Sequence, residues 1–235
     1  MEKVLIIIPT FNERENIEIL VKLIFGLAVE ADILFVDDNS PDGTGEVVDK
    51  MARGNPNRLF VVHREKKMGA GTAHIEGYKF ALKKNYGCVI QMDADLSHHP
   101  KFVPEFLNAM NECDLAIGSR FLRNNARVVD WPLKRIILSR LANLYINVFL
   151  KLNLSDGTGG FKCVKRKVLE AINFEKIKSR NHAFQFEINY HAKKTGFKIK
   201  EIPIVFYNRS FGKSKLSWGM IFEAVFMVLY LKFRN

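Results

Sequence analysis

Short apolar runs recur along the first half of the chain, and segments with helical spacing separate them. A strand buried on both faces of a parallel sheet reads as a continuous apolar run, whereas an amphipathic helix carries apolar residues every three or four positions. The predicted strands cover residues 4–9, 33–36, 59–63, 88–92 and 114–118. The predicted helices cover residues 13–27, 44–52, 72–84 and 100–110. This alternation favours an α/β fold, with a mostly parallel sheet and helices on both faces.

The second half begins with a long predicted helix, residues 131–152, that carries a polar stripe. Arg135, Ser139, Asn143 and Asn147 recur every four residues and share one face of an otherwise apolar helix. The segments that follow are a glycine-rich loop, a helix, a strand and an apolar helix, at residues 156–160, 184–195, 198–206 and 218–231. No repeat or linker divides the chain, so we expect one domain spanning residues 1–235.

The last predicted helix is the most apolar segment, but it is too short to cross a bilayer. A span needs ~20 apolar residues, and Glu223 interrupts this run. The pattern fits either a buried helix or a helix that lies in a membrane interface. Residues 4–8 are also too short for a signal-peptide core, and Pro9 follows them directly.

The composition is strongly basic, which is typical of proteins with an anionic partner. The 235 residues are 48% hydrophobic, enough for a buried core, and carry a formal charge of +11. Nucleic acid, an acidic membrane or a phosphorylated substrate would each suit that charge, and a solvated basic surface would also account for it. No pair among Cys88, Cys113 and Cys163 has zinc-ligand spacing. Cys88 and Cys113 stand at the starts of apolar runs and are expected to be buried, reduced thiols.

The strongest chemical signal follows the fourth predicted strand. Asp93 and Asp95 are two positions apart, so their side chains are expected on the same side where the strand ends. Two carboxylates at this spacing suit Mg²⁺ or Mn²⁺, with the remaining positions taken by water and substrate phosphates. The adjacent His98 and His99 lack the helical spacing of a zinc motif and are expected to shape the loop.

The ends of the first two strands add further candidates. Phe11 could pack on a base or ribose and Glu13 could accept hydrogen bonds from sugar hydroxyls, although Asn12 alone could cap the next helix. The second strand is followed by Asp37, Asp38 and Asp42 in six residues. Ser40 and Pro41 could start a helix, but a helix start does not require three carboxylates, so we favour a binding role.

Two glycines precede the third predicted helix. Gly69 and Gly71 resemble a dinucleotide fingerprint only superficially, because His74 occupies the position of its third glycine. We expect the two glycines to let the backbone approach a ligand.

Basic residues cluster in the second half. The two clusters are Arg120, Arg123, Arg127, Lys134, Arg135 and Arg140, and Arg209, Lys213 and Lys215. Few aromatic residues interleave them, which disfavours single-stranded nucleic acid. A lipid-linked phosphate would explain both the polar stripe and the apolar surface of helix 131–152.

Six motifs occur in the order found in one enzyme family. They are Pro9-Thr10-Phe11-Asn12-Glu13, Asp37-Asp38-Asn39-Ser40-Pro41-Asp42-Gly43-Thr44, Gly69-Ala70-Gly71-Thr72-Ala73, Asp93-Ala94-Asp95-Leu96-Ser97-His98, Gly118-Ser119-Arg120-Phe121, and Arg209 with Ser214-Lys215-Leu216. Over nearly its whole length the chain resembles the family 2 glycosyltransferases of the GT-A fold, and among them the dolichyl-phosphate (polyprenyl-phosphate) mannose synthases. The resemblance implies a Rossmann-like sheet, C-terminal amphipathic or interfacial helices, a nucleotide-sugar half (1–120) and an acceptor and membrane half (121–235).

The resemblance also implies a role for each matched residue. The implied nucleotide-sugar ligands are Pro9, Phe11, Glu13, Val36, Asp38, Asp93, Ala94, Asp95, Arg209 and Lys215. Asp93 and Asp95 would hold the metal, and the acceptor phosphate would contact Arg120, Arg135 and Ser139. The implied catalytic residues are Asp95, Arg120 and Arg209. Ser97 stands where some relatives carry a metal-binding Gln, so water would complete the metal shell.

The implied reaction is the inverting, metal-dependent transfer of mannose from GDP-mannose to polyprenyl phosphate. Transfer of glucose or another sugar from a UDP-sugar is the nearest alternative, and a non-catalytic nucleotide-sugar-binding protein is the alternative from a different class. Glu187 could be proposed as a base, but a structural or acceptor-site role fits it better. The resemblance further implies peripheral attachment at the cytoplasmic face of a membrane, with a possible anchoring partner subunit and no nucleic acid.

Overall fold

The computed structural model describes residues 3–122, 126–208 and 218–233. Its strands are β1 (Val4–Thr10), β2 (Ala31–Asp37), β3 (Leu59–His63), β4 (Cys88–Gln91), β5 (Leu115–Ser119), β6 (Arg127–Val128), β7 (Lys162–Lys165), β8 (Ile199–Pro203) and β9 (Val205–Phe206). Its α-helices are α1 (Arg14–Phe25), α2 (Thr44–Gly54), α3 (Ala70–Lys83), α4 (Val103–Ala109), α5 (Leu133–Leu150), α6 (Arg166–Ala171), α7 (Phe184–Lys194) and α8 (Trp218–Phe233). Short 3-10 turns occupy Pro100–Phe102 and Phe174–Lys176.

Seven strands form one sheet in the order β3-β2-β1-β4-β7-β5-β8. Every neighbouring pair is parallel except the two that β7 makes with β4 and β5. Since β5 therefore runs in the same direction as β4, the carboxyl ends of β1, β2, β4 and β5 meet at one edge of the sheet. Strands β6 and β9 form a separate parallel pair.

Helices cover both faces of the sheet, as the sequence predicts. Alternate residues of β1 point to opposite sides, so Ile6 and Ile8 pack with α1, α2 and α4, while Leu5 and Ile7 pack with α3, α6 and α7. Leu5 through Ile8 are completely buried. The continuous apolar run of this strand therefore reflects burial on both faces.

The expected α/β architecture is confirmed, but three local predictions are wrong. Strand β7 and helix α6 were not predicted, because Lys162–Lys165 contains two lysines and reads as polar. The predicted strand 198–206 is two strands, since Ile204 leaves the large sheet before β9 pairs with β6. Asn12 does not cap α1: its φ is +58° and the cap position is Glu13.

Helix α5 turns its polar side toward the protein and its apolar side outward, the reverse of an ordinary surface helix. Asn143 on its polar stripe is 4% exposed, whereas Leu133, Leu144 and Val148 are 59–70% exposed. Asn143 bonds to Thr158, and Asn147 exchanges hydrogen bonds with the backbone of Leu154. The stripe therefore faces the protein, and the apolar side of α5 faces outward.

Helix α8 packs beside α5 and extends this outward apolar surface. Phe222, Phe226 and Phe233 are 65–78% exposed, while Met227 and Leu231 are buried on the opposite side. We call the exposed apolar residues of the two helices the apolar platform. Its members are Leu133, Ile137, Leu138, Leu141, Leu144, Val148, Phe222, Val225, Phe226, Leu229 and Phe233. Within the described ranges, neither of these helices nor any other combines the length and the apolar character that crossing a bilayer requires.

Candidate active site

A pocket opens at the carboxyl ends of β1, β2 and β4, the edge where ligands bind in open α/β sheets. Its lining residues are Pro9, Thr10, Phe11, Glu13, Asp38, Lys67, Gly69, Ala70, Asp93, Ala94, Asp95, Asn181, His182 and Met220. Seven of the residues implied as nucleotide-sugar ligands are brought together here. Asn181, His182 and Met220 come from the second half of the chain, so both halves build the pocket.

One wall of the pocket is aromatic and basic. The Nζ atom of Lys67 lies 4.2 Å from the centre of the Phe11 ring, a cation–π contact. Beside it, Glu13 Oε2 accepts a hydrogen bond of 2.9 Å from Asn16 Nδ2. Lys67 was not predicted, because a lysine in the segment Glu65-Lys66-Lys67 is not distinguishable from a solvated charge.

The loop after β2 uses two of its three carboxylates for structure. Asp37 accepts hydrogen bonds from the Thr10 hydroxyl and from the backbone and hydroxyl of Ser40. Asp42 accepts from the backbone and hydroxyl of Thr44 and from the backbone N–H of Arg14. Asp42, rather than Asn12, therefore bonds to the amino end of α1, and Asp37 holds residue 40 against β1. The binding role expected for Asp37 and Asp42 is not what the structure shows.

Asp38 is the carboxylate of this loop that reaches the pocket. Its Oδ1 atom lies 2.8 Å from Arg64 Nη1, and its Oδ2 accepts from the backbone N–H groups of Met68 and Gly69. Burial raises the pKa of Asp38, although Arg64 and the two N–H groups act in the opposite direction. Asp38 therefore fixes the 67–70 wall of the pocket as well as lining it.

The pair Asp93 and Asp95 follows β4. Asp95 is 4% exposed, and its Oδ1 accepts from the backbone N–H and the hydroxyl of Ser97 at 3.1 and 2.5 Å. The backbone N–H of Asp93 donates to His98 Nδ1 at 3.0 Å, and His99 Nδ1 accepts from Lys101. The two histidines therefore shape the loop, as expected, and Ser97 orients Asp95.

The Asp93 and Asp95 carboxylates suit a hard divalent cation whose remaining ligands are water and a bound phosphate. Three or more His, Cys, Asp or Glu side chains do not cluster into a metal site anywhere in the described part of the chain. Asp93 and Asp95 both line the pocket and offer carboxylate oxygens, the ligands that Mg²⁺ and Mn²⁺ prefer. The residues therefore fit a cation held by two carboxylates, water and phosphate oxygens.

Gly69 and Gly71, at the start of α3, permit a close approach of another loop of the protein, and Gly69 also lines the pocket. Gly71 N–H donates to the carbonyl oxygen of Arg180 at 2.9 Å. A Cβ atom on Gly69 would lie 2.4 Å from that oxygen, and one on Gly71 would lie 3.0 Å from it. The glycines thus seat residues 180–182 against the pocket.

Val36 is not part of the pocket that the structure shows. Its side chain is completely buried among core residues. The residue precedes the strand end by one position, where helices cover both faces of the sheet. Arg209 and Lys215 lie outside the described residues, as does Arg123.

Arg120 is paired with a buried carboxylate that the sequence did not indicate. Its Nε and Nη2 atoms donate to the Asp156 carboxylate at 2.6 and 2.7 Å, and Nη2 also donates to Thr158. Asp156 is completely buried, and the Arg120 side chain is 12% exposed. Burial alone would raise the pKa of Asp156, but the Arg120 charge and the hydrogen bonds hold it below its ordinary value. The paired donors of Arg120 serve Asp156 rather than a phosphate.

Arg135 and Ser139 stand on α5 and do not line the nucleotide pocket. The Arg135 guanidinium lies 3.8 Å from the centre of the Trp131 ring, and Arg120 lies 5.4 Å from the same ring. Arg135 and Ser139 are both half-buried. Stacking on Trp131 therefore helps to orient the Arg135 guanidinium.

Glu187 has a structural role. It is completely buried on α7, where its two oxygens accept from the backbone N–H groups of Lys178 and Ser179 at 3.0 and 2.9 Å. A buried carboxylate with both oxygens bonded to backbone is not placed to take a proton from a substrate.

Two curated proteins are similar over most of the chain. The polyprenol monophosphomannose synthase of Mycolicibacterium smegmatis is 40% identical over 97% of this chain and 86% of its own length. The undecaprenyl-phosphate mannosyltransferase of Micrococcus luteus is 39% identical over 95% of this chain and 91% of its own length.

A solved structure shares the fold. Glucosyl-3-phosphoglycerate synthase from Mycobacterium tuberculosis, crystallised with Mn²⁺, uridine diphosphate and glucosyl-3-phosphoglycerate, matches with a TM-score of 0.70. The match covers 98% of this chain and 80% of that one, at 17% identity. The similarity supports the GT-A architecture. The model of the family described as Glycosyl transferase family 2 matches residues 5–173, and the chain therefore belongs to glycosyltransferase family 2.

Proposed function

We propose that this enzyme transfers mannose from GDP-mannose to a polyprenyl or dolichyl phosphate, with inversion at the sugar carbon. The names of the two curated relatives support both the sugar and the acceptor class. The observation that carries the proposal is the pocket lined by Asp93 and Asp95, together with the apolar platform on α5 and α8. A soluble donor and a lipid acceptor require that combination.

The acceptor needs little chemical activation. A phosphate monoester has a second pKa near 6 and is already ionised at neutral pH, so its oxygen can attack the sugar carbon without a general base. The protein's task is to position the two substrates and to stabilise charge on the departing GDP. Arg135 and Ser139 would hold the acceptor phosphate, with Arg209 and Lys215 proposed on the donor diphosphate. Arg120, held in place by Asp156, would add a fixed positive charge near Arg135 and so attract the acceptor phosphate.

Asp93 and Asp95 would hold Mg²⁺ or Mn²⁺, which supplies neutralisation of the leaving diphosphate when bound. Ser97 would keep the Asp95 carboxylate in place for this role. Pro9, Phe11, Glu13, Asp38 and Ala94 would contact the nucleoside.

A donor panel tests the proposed function. The full chain is incubated with a short polyprenyl phosphate, Mn²⁺ and radiolabelled GDP-mannose, UDP-glucose or another nucleotide sugar, and label is counted in the lipid extract. We expect transfer from GDP-mannose to exceed the others. Transfer only from a UDP-sugar would replace the donor assignment. Donor binding without acceptor-dependent GDP release would instead identify a nucleotide-sugar-binding protein.

Replacement of Arg135 should weaken acceptor binding selectively. We expect Arg135→Ala to raise the KM for polyprenyl phosphate by about tenfold, the loss of one charge-assisted contact. The affinity for GDP should stay near that of the unchanged protein, because Arg135 does not line the nucleotide pocket. Steady-state kinetics and calorimetry with GDP measure the two quantities.

Lys84→Ala provides the matched control for Arg135→Ala. It also removes one positive charge from an exposed position, at the opposite edge of the sheet where α3 ends. Equal increases in KM for both variants would assign the effect to net charge. A large loss of GDP affinity in Arg135→Ala would move the residue to the donor side.

The proposed location is peripheral, at the cytoplasmic face of a membrane, either directly or with an anchoring partner subunit. The apolar platform would enter the interface, and the basic residues beside it would add attraction to anionic lipids of about 1 kcal/mol each. In flotation with anionic liposomes at low salt, we expect the protein to float and the double variant Phe222→Ser/Phe226→Ser to lose about tenfold or more of its partitioning.

The control for this experiment is Ile19→Ser/Leu23→Ser on α1, which also removes two exposed apolar side chains. It should float like the unchanged protein. Equal recovery of all three proteins in the soluble fraction, with and without lipid, would contradict membrane attachment through the platform.

A further inference from the structure

Glu223 is the one carboxylate on α8, and it does not face solvent as an ordinary surface charge would. Its Oε1 atom accepts from the backbone N–H groups of Arg180 and Asn181 at 2.8 and 3.3 Å, and its Oε2 accepts from Asn181 Nδ2 at 2.8 Å. Hydrogen bonds to an ionised acceptor are about twice as strong as neutral ones. The charge that interrupts the apolar run of this helix is therefore bonded to a loop of the pocket.

That loop is held from two sides by two carboxylates. Glu187 accepts from the N–H groups of residues 178 and 179, and Glu223 accepts from those of residues 180 and 181. Four successive backbone donors are thus satisfied by side chains from different helices. Glu187 is completely buried on α7, whereas Glu223 stands on a helix whose far side is exposed and apolar. The second anchor is therefore on a helix that forms part of the platform.

The held loop lies directly at the donor pocket. Asn181 and His182 line the pocket, and so does Met220, which is on α8 itself. The Arg180 carbonyl packs against Gly69 and Gly71, which begin the opposite wall. Met220 and the three Glu223 bonds therefore connect α8 directly to the donor pocket.

We propose that Glu223 is a positioning residue that couples lipid contact by α8 to the shape of the nucleotide pocket, so that membrane docking strengthens donor binding. The inference rests on the proposed membrane attachment and on the proposed nucleoside diphosphate donor. Lipid contact fixes the orientation of α8, Glu223 fixes residues 180–181 to α8, and Asn181 and His182 close the pocket on the nucleotide. Linkage makes the effect reciprocal: GDP must strengthen vesicle binding by the same factor by which vesicles strengthen GDP binding.

The test measures both directions of this linkage. GDP binding with Mn²⁺ is measured by calorimetry, with and without phosphatidylglycerol-containing vesicles that lack any polyprenyl phosphate. Vesicle partitioning is measured by flotation, with and without GDP. For the unchanged protein we expect each partner to strengthen the other by about tenfold, within the usual range of coupling. For Glu223→Gln and Glu223→Ala we expect vesicle binding to persist, because the apolar platform is intact, and the enhancement to fall to nearly onefold.

Glu170→Gln on α6 is the matched control, because its carboxylate pairs with Arg166 and contacts neither the pocket loop nor α8. It should keep the full enhancement. A merely structural role for Glu223 would lower the melting temperature and weaken GDP binding equally with and without vesicles. If Glu223→Ala does not fold, Glu223→Gln retains one acceptor oxygen and carries the comparison.

The outcomes separate this inference from the function on which it rests. Vesicle and GDP binding that are each present but independent in the unchanged protein would overturn the coupling and leave the proposed function standing. A full enhancement in both Glu223 variants would also overturn it. Absence of vesicle binding by the unchanged protein would contradict the membrane attachment, and the coupling with it.

Discussion

Asp95→Asn is expected to lower kcat/KM for sugar transfer by at least about a thousandfold while the chain stays folded. The substitution removes one of the two carboxylates proposed to hold the cation, and the diphosphate leaving group loses charge stabilisation worth several kcal/mol. The amide oxygen can still accept from the Ser97 backbone and hydroxyl, so the loop after β4 should keep its shape. Transfer rates across a Mn²⁺ titration and a thermal unfolding curve measure the two effects.

Asp49→Asn is the control for this loss. It makes the same acid-to-amide change on α2, where Asp49 pairs with His63 at the surface. It should leave transfer and its metal dependence unchanged. Unaltered turnover of Asp95→Asn at limiting Mn²⁺ would remove Asp95 from the metal site.

Asp156→Ala is expected to lower the free energy of unfolding by about 3–5 kcal/mol, because it leaves a buried guanidinium without its counter-charge. Asp156 is completely buried and receives bonds from Arg120, Thr158 and Asn143. Denaturant unfolding followed by circular dichroism measures the loss. Transfer should fall as well, since Arg120 and Arg135 share the Trp131 ring.

Glu170→Ala is the control for Asp156→Ala. It removes one partner of an exposed ion pair, that with Arg166, and should change the free energy of unfolding by at most about 1 kcal/mol.

The pH dependence of stability gives a second check on the Arg120–Asp156 pair. The pKa of Asp156 in the folded chain lies below its ordinary value of 3.8. The pair therefore contributes fully above that pH, and its contribution is lost as the pH falls through the lower pKa of the folded state. An equal loss of unfolding free energy in Asp156→Ala and Glu170→Ala would show that the buried pair contributes no more to stability than the exposed pair.

The carboxyl edge of the sheet was predictable because its signals are local. A buried parallel strand is recognisable as an apolar run. The polar residues that follow each run lie at the carboxyl edge of the sheet. Phe11, Glu13, Asp38, Asp93 and Asp95 were found in this way, and all line the pocket. Val36, one position before a strand end, is still within the part of β2 that is buried on both faces, and its side chain therefore lies in the core.

The partners of charged side chains were not predictable, because they depend on long-range contacts. Arg120 meets Asp156, 36 residues later, and Asp38 meets Arg64. Nothing in either segment distinguishes a guanidinium that binds phosphate from one that neutralises a buried carboxylate. Asn181 and His182 were missed for the same reason, since long-range contacts with Glu187, Glu223 and Gly71 hold their loop at the pocket.

The polar stripe of α5 was recognised correctly, but its direction was not fixed by the sequence. An amphipathic helix has the same pattern whether its polar side faces water or a buried carboxylate. Asn143 and Asn147 face inward because the loop 154–158 offers partners for them. The apolar residues are left outside as a consequence.

The outward apolar side of α5 and α8 determines how the availability of each substrate must be expressed. The donor is dissolved in the aqueous phase, and its availability is a concentration. An acceptor met on the apolar platform arrives within a surface, and its availability is a number of molecules per unit area. Adding more vesicles of the same composition would supply more acceptor molecules without raising their density at the enzyme. Acceptor saturation would therefore follow the mole fraction of polyprenyl phosphate in the lipid rather than its amount in the tube.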